Sequence, residues 1–198
     1  GNDTLLGIWN SGANKRSWMI DIEADQGRLR GYWSTAGSNN SSVQTATNYI
    51  ARRRWNHIVF CRQGNTMRLY LNGNQEATAT ESGSLYNNTD DSLGILSATD
   101  AGNDPCRGHI SNVRIIKGTC LYPDGTSFTP PSAPLTNVTN TVLLGCQSPT
   151  NPAEFQVGAA GTTYTTEGSV SPSAYSNQLW RLFDNNNGTF WGHTSQNS

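Results

Sequence analysis

Arg54-Trp55-Asn56-His57-Ile58-Val59-Phe60, followed by Leu69-Tyr70-Leu71-Asn72-Gly73, is the stretch that decides the fold. Side chains alternate at period two along an extended chain, so Trp55, His57 and Val59 fall on one face and Ile58 and Phe60 on the other. Gly64-Asn65 supplies a first turn. Asn72-Gly73 supplies a second, because this dipeptide suits a type I′ turn, whose two central residues both need positive φ. A strand apolar on both faces reads as a central strand covered on both sides. That places it in a sandwich of two sheets rather than on a one-sided sheet.

Upstream, Trp18 to Asp25 alternates. The reading puts Trp18, Ile20, Ile22 and Ala24 toward the core and Asp21, Glu23 and Asp25 toward solvent. Gln26-Gly27 turns the chain, and Arg28 to Trp33 returns it with Leu29, Gly31 and Trp33 on one face. Arg28 and Arg30 then lie opposite the acidic row, where each cross-strand charge pair is worth about 0.2–1 kcal/mol. Residues 34–48 read as loop, 91–96 as a short strand and 98–105 as loop. Gly108 to Ile116 reads as a strand with a bulge at Ser111-Asn112. Phe128-Thr129-Pro130-Pro131 must be extended outside any central ladder, because proline lacks the amide donor. Thr141 to Cys146 gives one more strand, and residues 148–152 mark a boundary. No amphipathic helix of useful length occurs, so the chain reads as all-β.

The 198 residues suffice for one full sandwich. A formal net charge of −1 argues against nucleic acid, which demands an excess of Lys and Arg on one face. Arg52-Arg53-Arg54 is the one basic run and reads as a solvated strand entry. No apolar run reaches membrane-spanning length, so membrane insertion is not expected. Cys61, Cys106, Cys120 and Cys146 form no CxxC pair, which argues against zinc. A Cys106–Cys120 bridge and four reduced thiols both fit the spacing. Reduced thiols in a reducing cytoplasm are the expectation. The chain starts at Gly1 and is strand-like by Thr4 to Trp9, which reads as a segment of a longer or processed product.

Trp55 to Val59, Leu69 to Gly73, Leu93-Gly94-Ile95 and Gly108 to Ile115 together resemble the concanavalin A-like lectin/glucanase superfamily, in its laminin G-like and pentraxin-like branch. The resemblance runs over about residues 4–147. It implies a concanavalin A-like antiparallel β-sandwich (jelly roll) over residues 1–147, short of its first strand or strands. Residues 148–198 follow as a linker and partial β extension, weakly similar to a discoidin-type domain over 173–191. Lys117 to Tyr122, Phe128 to Pro131, Ala133 to Leu135 and Leu143 to Gln147 resemble the version found in tailed-phage virion proteins, especially those of cyanophages. This implies a virion protein assembled in the host cytoplasm, serving as fibre, tail or capsid decoration. Its implied partners are other virion proteins, further copies of itself and glycans.

The sharpest catalytic candidate is Asp21-x-Glu23-x-Asp25, since residues two apart on a strand share a face, as paired carboxylates in glycosidases must. Glucanases of this superfold carry Glu-x-Asp-x-x-Glu instead, and a solvated hairpin outweighs catalysis. The expectation is therefore a non-catalytic, lectin-like module. A depolymerase or glucanase using Asp21 and Glu23 is one rival and a bacterial adhesin another. Glycan recognition needs aromatic faces beside polar groups, and Trp33, Tyr49 and Tyr86 lie near loops that could offer them. His57 reads as a structural histidine. Asp100, Asn103 and Asp104 share an oxygen-rich loop of the kind that holds calcium, the one cofactor considered.

Overall fold

The computed structural model describes residues 2–51, 53–98, 105–106, 108–148 and 155–157. The described residues are all-β, and none forms a helix long and apolar enough to cross a membrane. They fall into two units: residues 2–109 with 122–129, and residues 110–121 with 130–157.

The first unit contains two antiparallel sheets. One is five-stranded, built from β1 (Asn2–Asn10), β2 (Lys15–Glu23), β3 (Arg28–Trp33), β4 (Ser41–Gln44) and β8 (Gly94–Ile95) in the order β4-β3-β2-β1-β8. The other is three-stranded, β5 (Ile58–Gln63), β6 (Thr66–Leu71) and β7 (Asn74–Thr80) in chain order. The sheets meet where the Phe60 ring lies on the bare backbone of Gly31. A Cβ at Gly31 would come 2.7 Å from ring carbons of Phe60. Trp33 packs beside the same ring at 6.2 Å between centroids. Leu29, Met67, Leu69 and Leu71 fill the rest of this buried layer. Fully burying a side chain of this size stabilises by about 1.5–3 kcal/mol.

The turn chemistry holds as read. Asn72 and Gly73 have φ of 52° and 84°, the positive pair of a type I′ turn. The strand assignment around it changes. The ladder begins at Ile58, because the Asn72 side chain accepts from the His57 amide (2.9 Å) and donates to Asn56 Oδ1 (3.1 Å). One backbone bond persists, from the Asn72 amide to the His57 carbonyl (2.8 Å), but the return bond is made by a side chain, and Trp55 lies outside the strand, half-buried. Among the described residues β5 is an edge strand and β6 the central one. β4 occupies a stretch read as loop, with Val43 as its only buried residue. On the far side of β6, Tyr122 stacks on Phe128 at 3.7 Å and 11°. Both rings pack against Tyr70, whose hydroxyl donates to the Tyr122 carbonyl (3.0 Å). His57 meets Phe128 edge-on at 5.7 Å, a packing role.

The second unit holds β9 (Val113–Ile116), β10 (Thr141–Gly145) and β11 (Phe155–Val157), with β10 in the middle. β9 starts five residues later than read from sequence. Asn112 takes φ 55°, and its side chain accepts from the Leu135 amide (3.0 Å), so regular pairing stops there. Val113 is buried, at 5% exposure.

Candidate functional site on the open face of the five-stranded sheet

Period two predicts the site once the register is known. Asp21 pairs with Arg30 and Glu23 with Arg28 across β2 and β3, as the charge pattern implied. Trp18, Ile20, Ile22, Leu29, Gly31 and Trp33 share the face toward Phe60. Met19, Asp21, Arg30 and Tyr32 therefore occupy the opposite face. A bulge recruits two more residues. Ile8 pairs with Trp18, but Trp9 pairs with Arg16, leaving Ser17 as the extra residue. The extra residue turns Arg16 to the side of Trp9. Ser17 is buried and donates to the Tyr86 carbonyl (2.8 Å), which anchors the bulge.

These residues line a cavity of about 390 Å³ whose polar contributors include Ser11, Ser38 and Asn40. Its floor is an ion pair. Arg30 Nε donates to Asp21 Oδ1 (2.8 Å) and Nη2 to Asp21 Oδ2 (2.6 Å). Arg30 Nη1 lies 3.1 Å from Glu23 Oε1, and Arg28 Nε is 3.1 Å from Glu23 Oε2. Asp21 is thus not in solvent: its exposure is 0%. The acidic row was expected to point outward. Asp25 is exposed as expected and Glu23 half-buried, but the fork of Arg30 covers and neutralises Asp21, which makes its burial tolerable. Burial works against the Arg30 charge, but the Asp21 hydrogen bonds and charge outweigh it and raise its pKa. Burial likewise pushes the Tyr32 phenol up, against the pull of Arg30, whose guanidinium sits 5.2 Å from the ring centroid.

Trp9 and Tyr32 form an aromatic pair, 5.7 Å between centroids and tilted by 50°. The Arg16 guanidinium lies 6.0 Å from the Trp9 ring. It also staples two loops: Nη1 donates to Ser38 O (2.7 Å), Gly37 O (3.4 Å) and Asn14 Oδ1 (3.3 Å), and Nη2 to Ser11 O (3.2 Å). Aromatic surface beside fixed polar groups suits a polyhydroxylated ligand. The same geometry ill suits hydrolysis by Asp21. Both its oxygens are occupied by one guanidinium and the residue is closed to solvent, so it cannot reach a substrate bond.

The three aromatics proposed from sequence do not line this cavity. Trp33 is 1% exposed, and its indole N–H donates to Glu81 Oε2 (2.9 Å), so it offers no face for stacking. It lies near a loop in sequence, but its side chain points between the two sheets, beside Phe60. Tyr49 is 46% exposed, and its phenol pKa is raised by a hydrogen bond to Glu76. Tyr86 is half-buried, and its ring lies 3.1 Å from where a Cβ on Gly37 would be. Asp100, Asn103 and Asp104 lie outside the described residues. Among the described residues no group of three His, Cys, Asp or Glu is placed to hold a metal. Cys61, Cys106, Cys120 and Cys146 are half-buried thiols. Trp9, Arg16 and Tyr32, which line the cavity, were not singled out from sequence. Tyr32 was legible in the alternation of Arg28 to Trp33; Arg16 was not, because the bulge reverses its parity.

No curated protein matches the chain. A laminin G-type profile, described as concanavalin A-like lectin/glucanases superfamily, matches residues 2–121. That span covers both sheets of the first unit and every residue of the cavity. The chain belongs to the concanavalin A-like lectin/glucanases superfamily.

Proposed function

We propose that this chain is a non-catalytic, glycan-binding component of a virion, a fibre, tail or decoration protein, and that it takes glycans on the open face of the five-stranded sheet. The observation that carries the binding reading is the half-buried Tyr32 ring, backed by the buried Trp9, in one cavity with Ser11, Ser38 and Asn40. Sugar rings present apolar faces and hydroxyl edges, and this lining offers partners for both. The burial of Asp21 supports binding over cleavage. The virion setting rests on the resemblance of residues 117–147 to tailed-phage proteins, which is fold-level analogy.

A glycan array followed by calorimetry tests the binding reading. Tyr32→Ala should weaken the best glycan at least about tenfold, equal to about 1.4 kcal/mol, while the melting temperature stays near that of the parent. Absence of binding to every glycan by the parent protein sinks the reading. Release of reducing ends from a bound polysaccharide favours the depolymerase instead. Peptides of this chain in purified tailed-phage particles test the virion setting.

A further inference from the structure

Resting on the glycan reading, we infer that the ligand is an acidic sugar whose carboxylate is read by Arg16. The cavity's charges are unequal in their partners. Asp21 and Arg30 neutralise each other through a two-pronged pair, and Glu23 is held between Arg28 and Arg30. Arg16 is different. All its hydrogen bonds go to neutral oxygens, the carbonyls of Ser11, Gly37 and Ser38 and the amide oxygen of Asn14. Among the described residues no carboxylate lies within ion-pair distance of it. Its Nε–H makes none of these bonds, and Nη2 uses only one of its two hydrogens. A guanidinium has five donors in a planar fork that matches a carboxylate.

The carbonyls fix the group without neutralising it, so it is oriented before any ligand arrives. The buried Trp9 ring, 6.0 Å from the guanidinium, helps hold that orientation. A uronic or similar carboxylated sugar would thus place its ring against Tyr32 and its carboxylate against Nε and Nη2. Sulfated sugars share the negative charge but are not planar at the charged group, and they form a separate arm of the test.

The experiment measures binding of the full chain to oligogalacturonate, to the same oligomer after reduction of its carboxyl groups to alcohols, and to a galactose-sulfate oligomer. The parent protein should bind the acidic oligomer at least about tenfold tighter than its reduced form, with an advantage that shrinks as salt rises. Arg16→Gln should bring the two affinities together. Arg16→Lys keeps the charge without the fork and should lose most of the preference for carboxylate over sulfate. Because Arg16 also staples two loops, melting temperatures are compared. The parent's own preference needs no variant, so the test stands even if Arg16→Gln unfolds. Equal binding of the acidic and reduced oligomers by the parent overturns the inference while leaving glycan binding intact. So does tighter binding of the sulfated oligomer. Failure of every glycan to bind overturns both.

Discussion

A buried ion pair behaves asymmetrically, and Asp21–Arg30 lets that be tested at single residues. Asp21→Asn leaves the buried Arg30 guanidinium with only the half-buried Glu23, at Nη1, as counter-charge, so unfolding in urea should show a loss of about 2–4 kcal/mol, near the cost of breaking a buried pair. Replacing both partners by apolar residues, Asp21→Leu with Arg30→Met, should recover much of that loss. A merely solvated hairpin charge would cost under about 1 kcal/mol, so a small effect of Asp21→Asn contradicts the burial described. The pairing was legible from sequence, because opposite charges stood at facing positions. The burial was not, because alternation tells which residues share a face and not what covers it. A second residue-scale test uses Cys106, whose thiol burial pushes up to about 12, with Asp3 adding to the effect. Its folded pKa lies above the ordinary 9.0, so the unfolded chain gives up this proton first as pH rises. The contribution is intact below 9.0 and is lost between 9.0 and about 12. The melting temperature should fall through that window, less steeply in Cys106→Ala, and alkylation of native Cys106 at pH 8 should be slow.

Strands and turns obey their own chemistry. Gly73 sits at φ 84°, so Gly73→Ala should cost about 1–2 kcal/mol through backbone strain alone. Gly31 lies in the sheet for a different reason, the approach of Phe60 to 2.7 Å of its missing Cβ. Gly31→Ala should cost about 1–3 kcal/mol by overpacking, and Phe60→Leu in the same background should return part of it. Additive losses in that double-mutant cycle would show that the two do not touch. The type I′ turn and the β2–β3 hairpin could be read directly, since each needs only neighbouring residues. The start of β5, the start of β9 and all of β4 could not. Asn72 and Asn112 end their ladders with side-chain hydrogen bonds to distant amides. β4 is nearly all polar, because an edge strand needs only Val43 to hold it to the core.

For the molecule as a whole, a cavity of about 390 Å³ implies weak binding to a single glycan. Useful adhesion then requires several cavities presented together, since linking sites raises overall affinity without new contacts. The first unit carries a device that favours association. Among the described residues β7, Asn74–Thr80, is an edge strand of its sheet, with Glu76 as its only charged residue and no proline. Edge strands that avoid pairing usually carry more charge or proline than this. Sedimentation should therefore show self-association at tens of micromolar chain. A densely glycan-coated surface should hold the protein at least about a hundredfold more tightly than the same glycan free in solution. Thr78→Lys puts a charge on the exposed side of that edge and should reduce both the association and the surface advantage. Its affinity for the free glycan should match the parent's, because the cavity is on the other sheet. If surface and solution affinities agree in the parent, the molecule works as a single-site binder, and its edge strand is blunted by something other than another copy.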